Sequence, residues 1–342
     1  MRSLFACSLL LNAMLSFAGA ALLIAAALRL FRIPPGRIQL ALLSLPWLKL
    51  GLDAARGMPE GSFFWQRVHG VRQDLGQFQV GFGVNHWGPL VQLRLSAKLG
   101  SRVFPQSAGD LLTGALARQG AWLPTALVGL VLLVSGGLAT RRLLGWARHA
   151  RAARHAAVSL LERRGRVAVW LDASHRGAPY AAGVLAPRVV FSAEHYAELS
   201  PAEREACLLH ELSHIAHHDT LWSPLLALLT DVFWFLPGAR WLLGRTQSVM
   251  ELRADEAAVR HGASPHALAA ALVSTGEQLL AGTALGVGLV RESLLRRRVH
   301  RLLEPGTEPP PRAGFQHWPS RLLLLALVIS AVLQAVFFGT QG

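Results

Sequence analysis

Cys207-Leu208-Leu209-His210-Glu211-Leu212-Ser213-His214-Ile215-Ala216-His217-His218-Asp219 is the stretch on which the reading of this chain turns. On a helix, His210 and His214 sit one turn apart on the same face, so two imidazoles can reach one Zn²⁺ while Glu211 lies beside the metal's open position. A zinc so held lowers the pKa of its water toward neutrality, and a neighbouring carboxylate can take the proton as that water attacks an amide carbon. The spacing therefore outlines a metallopeptidase site, with His210 and His214 as ligands and Glu211 as general base.

The surrounding residues put this stretch on a helix independently of its own spelling. Ser200-Pro201-Ala202-Glu203 reads as a capping box with proline at the first helical position, so a helix is expected to begin there and run through His214. Leu208, Leu209, Leu212 and Ile215 recur at helical spacing and would bury one side against a core. A catalytic zinc usually has three protein ligands, so a third is required. The best candidate lies in Glu251-Leu252-Arg253-Ala254-Asp255-Glu256, where Glu251 and Asp255 share a helical face. That suits a carboxylate ligand one turn from a carboxylate that orients a ligating histidine. The alternative is a solvated acidic face. His261-Gly262 reads as the end of that helix.

His210-Glu211-Leu212-Ser213-His214-Ile215, Asp219, Phe233-Trp234-Phe235-Leu236-Pro237 and Glu251-Leu252-Arg253-Ala254-Asp255-Glu256 together resemble the BlaR/MecR-type family of membrane-embedded zinc metallopeptidases, of the gluzincin group. The segment from Pro179 to Phe191 is similar to that family's hairpin before the zinc helix. The likeness covers about Pro179 to Ala258. It implies His210, His214 and Glu251 as zinc ligands, Glu211 as the base and Asp255 as the residue orienting a ligand. It also implies that an edge strand before the zinc helix binds substrate as an added strand. The chain departs from the family at Leu236, where relatives often have asparagine. It departs again at the C-terminus, where no β-lactam sensor domain is expected.

Composition points to an integral membrane protein: 52% of residues are hydrophobic, 16% are charged, and the mean hydropathy is +0.36. The formal charge of +14 is nearly all arginine, which in such a chain marks cytoplasmic loops, so no direct nucleic-acid binding is expected. Two cysteines, Cys7 and Cys207, give no disulfide argument. Leu4 to Leu28 is an apolar run long enough for a bilayer, which needs about 20 residues. Ile38 to Leu52 is shorter and contains Pro46 and Lys49. It has to cross, because Arg29, Arg32 and Arg37 follow the first run while Arg141, Arg142, Arg148, Arg151 and Arg154 follow the run from Ala121 to Ala139. Both clusters can be cytoplasmic only if two crossings separate them.

The expected architecture is an α-helical multi-span membrane protein with a cytoplasmic α+β, gluzincin-like zinc-peptidase domain. Residues 1–52 hold two transmembrane helices, and 53–120 an external loop with a hairpin built from Gln77 to Val84 and Val91 to Ser96. A third span follows at 121–139, the zinc domain at 140–320 and a fourth span at 321–338. Arg141 to Arg166 is read as a basic amphipathic helix along the cytoplasmic leaflet. Val167 to Leu171 and Arg188 to Ser192 are read as strands. Leu221 to Leu243 is apolar but broken by Pro224, Asp231, Pro237 and Arg240. If it crossed the bilayer, His210 and Glu251 would lie on opposite sides, so it is expected to return to the side it left. Ser264-Pro265 starts another helix, and Arg296 to Leu303 ends a basic one.

The expected function is zinc-dependent cleavage of a cytoplasmic or membrane protein, with the lipid bilayer as a partner. A winged-helix repressor is one candidate substrate, on family analogy alone. Membrane-protein quality control of the HtpX type is the alternative, and a non-catalytic signalling scaffold is a third reading. The sequence sets no oligomeric state.

Overall fold

The computed structural model describes residues 2–56, 81–84, 91–94, 96–99, 102–105, 115–120, 122–155, 158–175, 177–280 and 285–304. The expected fourth span at 321–338, most of the proline-rich linker before it and the turn of the external hairpin lie outside these residues. The fold is mostly helical with a small sheet, and it divides into two compact units. One comprises residues 1–139, 230–242 and 311–342, and the other residues 140–229 and 243–310.

In the first unit, α1 (Arg2–Leu30) and α2 (Arg37–Arg56) pack together around Phe17, Ile24, Leu42 and Leu43, all buried. Phe17 meets Trp47 edge-on at 4.9 Å between ring centroids. The alternating segments form strands β1 (Gly81–Val84) and β2 (Val91–Arg94), paired antiparallel. A second pair follows, β3 (Ser96–Leu99) with β4 (Arg102–Pro105), where a single strand through Ser96 was expected.

Helix α3 (Leu123–His155) runs unbroken from the expected third span into the basic stretch. Within it Leu123–Arg148 is long and apolar enough to cross a membrane by length and composition. The expectation of one helix from Arg141 to Arg166 is corrected here. The helix ends at His155, and Val158–Arg164 is strand β5, paired antiparallel with β6 (Val167–Asp172). The physical reason is the turn. Arg164 faces Val167 across Gly165-Arg166, and Gly165 adopts φ +59°, the left-handed conformation that a two-residue hairpin demands and a helix interior does not.

The sheet of the second unit has the order β5-β6-β8-β7, with β7 (Tyr180–Ala182) on one edge. Strand β8 (Arg188–Ser192) runs parallel to β6 and antiparallel to β7. A short helix α4 (Ala193–Glu198) leads to α5 (Pro201–Ala216), the helix read as the zinc helix. Its start is as expected: Glu203 N–H donates to Ser200 Oγ at 3.3 Å, and Ser200 N–H donates to Glu203 Oε2 at 2.7 Å.

Helix α5 is buried on two sides rather than one. Cys207, Leu208, Leu212 and Ile215 pack on the sheet with Val169, Val189 and Phe191. Ala206 and Leu209 instead join Ala258 of α7 (Ala239–Arg260), Leu268 and Ala269 of α8 (Pro265–Leu280) and Leu302 of α9 (Leu285–Leu303). At 100° per residue these two contacts leave a free edge that carries His210 and His214, with Glu211 a step farther round toward the sheet.

The awkward apolar stretch folds as α6 (Asp219–Val232), a turn at residues 233–238, and the start of α7. Gly238 in that turn has φ +90°. Gln247 Nε2 of α7 reaches Ser223 Oγ of α6 at 3.4 Å, so α7 returns along α6 and brings Glu251 back toward the histidine helix. The return expected for Leu221 to Leu243 is therefore a helix-turn-helix.

Candidate metal centre and active site

His210 and His214 project from the free edge of α5, and Glu251 from α7 meets them. One ligand atom from each of the three lies within 4.8 Å of the others, a grouping that could hold a metal ion. The two Nε2 atoms are 3.2 Å apart; Glu251 Oε2 lies 3.6 Å from that of His210, and Oε1 3.7 Å from that of His214. The solvated-face alternative for Glu251 and Asp255 does not hold, because Asp255 is buried and Glu251 is 31% exposed.

Each histidine is backed by a carboxylate, and each carboxylate by an arginine. His210 Nδ1 lies 3.0 Å from Asp255 Oδ1, and Asp255 takes a bidentate grip from Arg298 of α9, at 2.8 Å from Nε and 2.7 Å from Nη2. His214 Nδ1 lies 2.9 Å from Asp219 Oδ2, and Asp219 accepts from Arg253 Nη2 at 2.6 Å. At His214 the hydrogen-bonded carboxylate on the far nitrogen fixes the ring's tautomer and leaves the near nitrogen as a lone-pair donor, as a metal ligand must be; at His210 the Asp255 carboxylate lies close to Nδ1 but off the line of a hydrogen bond.

Asp219 owes its place to the turn after α5. His218 adopts φ +58°, a left-handed conformation in which Asn, Asp and His are enriched, and the chain reverses there to start α6. The sequence reading counted Asp219 among the family-like residues without giving it this role, and it missed both arginines. Arg253 was legible in principle, since it sits in the Glu251 to Asp255 stretch and faces the same helix junction. Arg298 had no local signal. It lies 43 residues from Asp255 and 88 from His210.

Arg298 also reaches Glu251 Oε2 with Nη1 at 2.8 Å. Burial opposes every charge in this group, but the partners outweigh it. Facing Arg298 and the histidines, the Glu251 carboxyl falls well below the ordinary carboxylate range. The Asp255 carboxyl falls too, through its bonds to Arg298 and His210. The His210 pKa rises to about 9, because the Asp255 and Glu251 carboxylates outweigh the cost of burying the imidazolium.

Glu211 behaves differently. Burial pushes its carboxyl up, opposed by the two histidines and by the backbone N–H of Ala181. That N–H belongs to edge strand β7. The N–H and C=O of one strand residue project to the same side, so Ala181 turns both away from β8, toward α5. A carboxylate lifted toward neutrality, beside a metal-ligand cluster and an open strand edge, has the makings of a general base. Cys207, one turn earlier, is inert by comparison: burial drives its thiol up to about 12. Both cysteines are free and buried, and Asp231 is not among the three residues that could hold a metal.

The donor set fits a divalent cation on charge as well as geometry. Asp219 and Arg253 cancel as a buried pair, while Glu211, Glu251 and Asp255 outnumber Arg298 by two. With neutral imidazoles the buried cluster carries two uncompensated negative charges, which a dication would neutralise.

Two histidines from α5, a carboxylate from α7 and a buried glutamate beside a strand edge are the parts of a metal-dependent peptidase. The chain belongs to the BlaR1 peptidase M56 family, whose match covers residues 115–302 and so takes in every residue of this cluster. No curated protein matches the chain. It is thus a protease of the BlaR1 type, and membership carries the expectation of a membrane protein.

Proposed function

We propose that the protein is a membrane-embedded zinc endopeptidase that hydrolyses peptide bonds of a cytoplasmic or membrane protein in regulated proteolysis. The observation that carries this reading is the convergence of His210, His214 and Glu251 on one point, with Glu211 on the same helix and edge strand β7 beside it. In this reading His210, His214 and Glu251 hold zinc, which when bound acidifies water and polarises the scissile carbonyl. Strand β7 aligns the substrate backbone as an added strand. Glu211 accepts the proton of the attacking water and delivers it to the leaving amine. Asp255 and Asp219 orient the two imidazoles, and Arg298 and Arg253 in turn hold those carboxylates in place. Chelation should abolish cleavage of a reporter protein, and stoichiometric zinc should restore it. Cleavage that survived complete removal of metal would refute the assignment.

We further infer that α1, α2, α3 and residues 321–338 cross the inner membrane and that the peptidase domain faces the cytoplasm. The support is the placing of the arginine clusters at the ends of the apolar runs. Because both native cysteines are buried, introduced thiols report cleanly. An impermeant thiol reagent outside the cell should label Ser101→Cys and leave Ser264→Cys untouched. The opposite pattern would reverse the topology.

A further inference from the structure

The cluster opens into a cavity of about 1300 Å³, lined by His210, Glu211, His214 and Glu251 and bounded by β7, α6, α8 and α9. Sites for drug-sized ligands run to about 300–1,000 Å³, so this one has room for several residues of extended chain. One wall is aliphatic, with Leu268, Ala271 and Leu272 from α8 and Leu294 and Leu295 from α9.

The rim is apolar as well, and it is exposed. Trp146, Val184, Leu221 and Leu225 all line the cavity, yet Val184 is 52% and Leu221 40% exposed. Beside them Leu185 is 99% exposed. The chain is bent to hold this tip outward: Gly183 has φ +84°, and a Cβ there would run into the Ala186 carbonyl oxygen. Exposed apolar groups gathered at one mouth mark a contact surface, because leaving them in water is unfavourable. Trp146 sits in the last turn of Leu123–Arg148, the segment long and apolar enough to cross a membrane, and Trp with flanking Arg are residue types that settle at a bilayer surface.

We propose that this site takes an apolar stretch of polypeptide presented at the bilayer surface, and that the rim of Trp146, Val184, Leu221 and Leu225 selects it. The inference rests on the peptidase reading and names its substrate class. An apolar segment covers the rim and the aliphatic wall without stranding charge. A polar one would lose its water against leucines. A soluble repressor cut in a polar loop is the outcome this excludes.

The test uses the full chain with zinc in phosphatidylcholine–phosphatidylglycerol vesicles. Two membrane-anchored reporters differ only in whether the residues flanking the cut are Leu, Val and Phe or Ser, Asn and Glu. The apolar reporter should have a kcat/KM about 100-fold higher, the scale on which an apolar pocket discriminates over a few groups. The paired change Val184→Asp with Leu185→Asp should erase most of that ratio by raising KM, with kcat and zinc content kept; the milder pair of serines guards against misfolding. Binding of a fluorescent apolar segment to Glu211→Gln protein should weaken about tenfold in the same rim variants, independently of turnover. Equal rates on the two reporters, or rim variants with unchanged KM and binding, would overturn the substrate class while leaving the peptidase standing. If neither reporter were cut faster by the parent than by Glu211→Gln, the peptidase reading would fall and this inference with it.

Discussion

Glu211→Gln keeps the metal and the fold but slows peptide-bond cleavage by about 10²–10⁴-fold, the range that a positioned general base supplies. Gln is nearly isosteric with Glu and leaves both histidines untouched. Its amide oxygen can still accept the Ala181 N–H that now meets the carboxylate. What it cannot do is take a proton. The native carboxyl is prepared for that task by burial, which raises its pKa, while the neighbouring histidines and the Ala181 amide limit the rise. Glu251→Gln should behave differently. The Glu251 carboxylate faces both imidazoles and is held charged by Arg298, so neutralising it lowers metal affinity together with rate. Measuring zinc content and reporter cleavage in parallel separates the two roles. A Glu211→Gln protein that cut as fast as the parent would remove Glu211 as the base and favour a signalling scaffold.

What could be read from the sequence were the features encoded within one or two turns of chain. The Ser200 capping box, the i, i+4 pair His210 and His214, and the i, i+4 pair Glu251 and Asp255 are each local, and the structure places all of them on helices. What escaped was encoded by the fold. Arg296-Arg297-Arg298 reads in one dimension as a basic run. Only the docking of α9 decides that Arg298 turns inward to Asp255 and Glu251. Asp219 lay in the quoted stretch, but its use depends on the left-handed backbone of His218. The burial of α5 shows the same limit. Leu208, Leu209, Leu212 and Ile215 look like one apolar side, yet Leu209 packs among α7, α8 and α9 while the other three meet the sheet. In β5, arginine periodicity suggested a continuing helix, and the informative residue was Gly165.

The removal of either histidine separates metal binding from folding. His210→Ala and His214→Ala should each lose the zinc that the parent holds at about one per chain. Structural zinc in small proteins contributes roughly 10–16 kcal/mol over four ligands. One ligand is then worth about 3 kcal/mol, more than a hundredfold in affinity. The fold should survive, because neither change strands a carboxylate. Asp255 keeps its bidentate bond to Arg298 when His210 is gone, and Asp219 keeps Arg253 when His214 is gone. The distinguishing readout is thermal. Zinc in hundredfold excess over the parent's Kd stabilises the parent by about 2.7 kcal/mol through mass action, raising its Tm, and should stabilise either variant by less than about 0.5 kcal/mol. Removing Asp255 instead would strip the buried Arg298 of its bidentate partner and leave it Glu251 alone, so Asp255→Ala should lower the Tm even without zinc. A double histidine variant that still bound one zinc per chain would sink the ligand assignment, and with it the role given to Glu251.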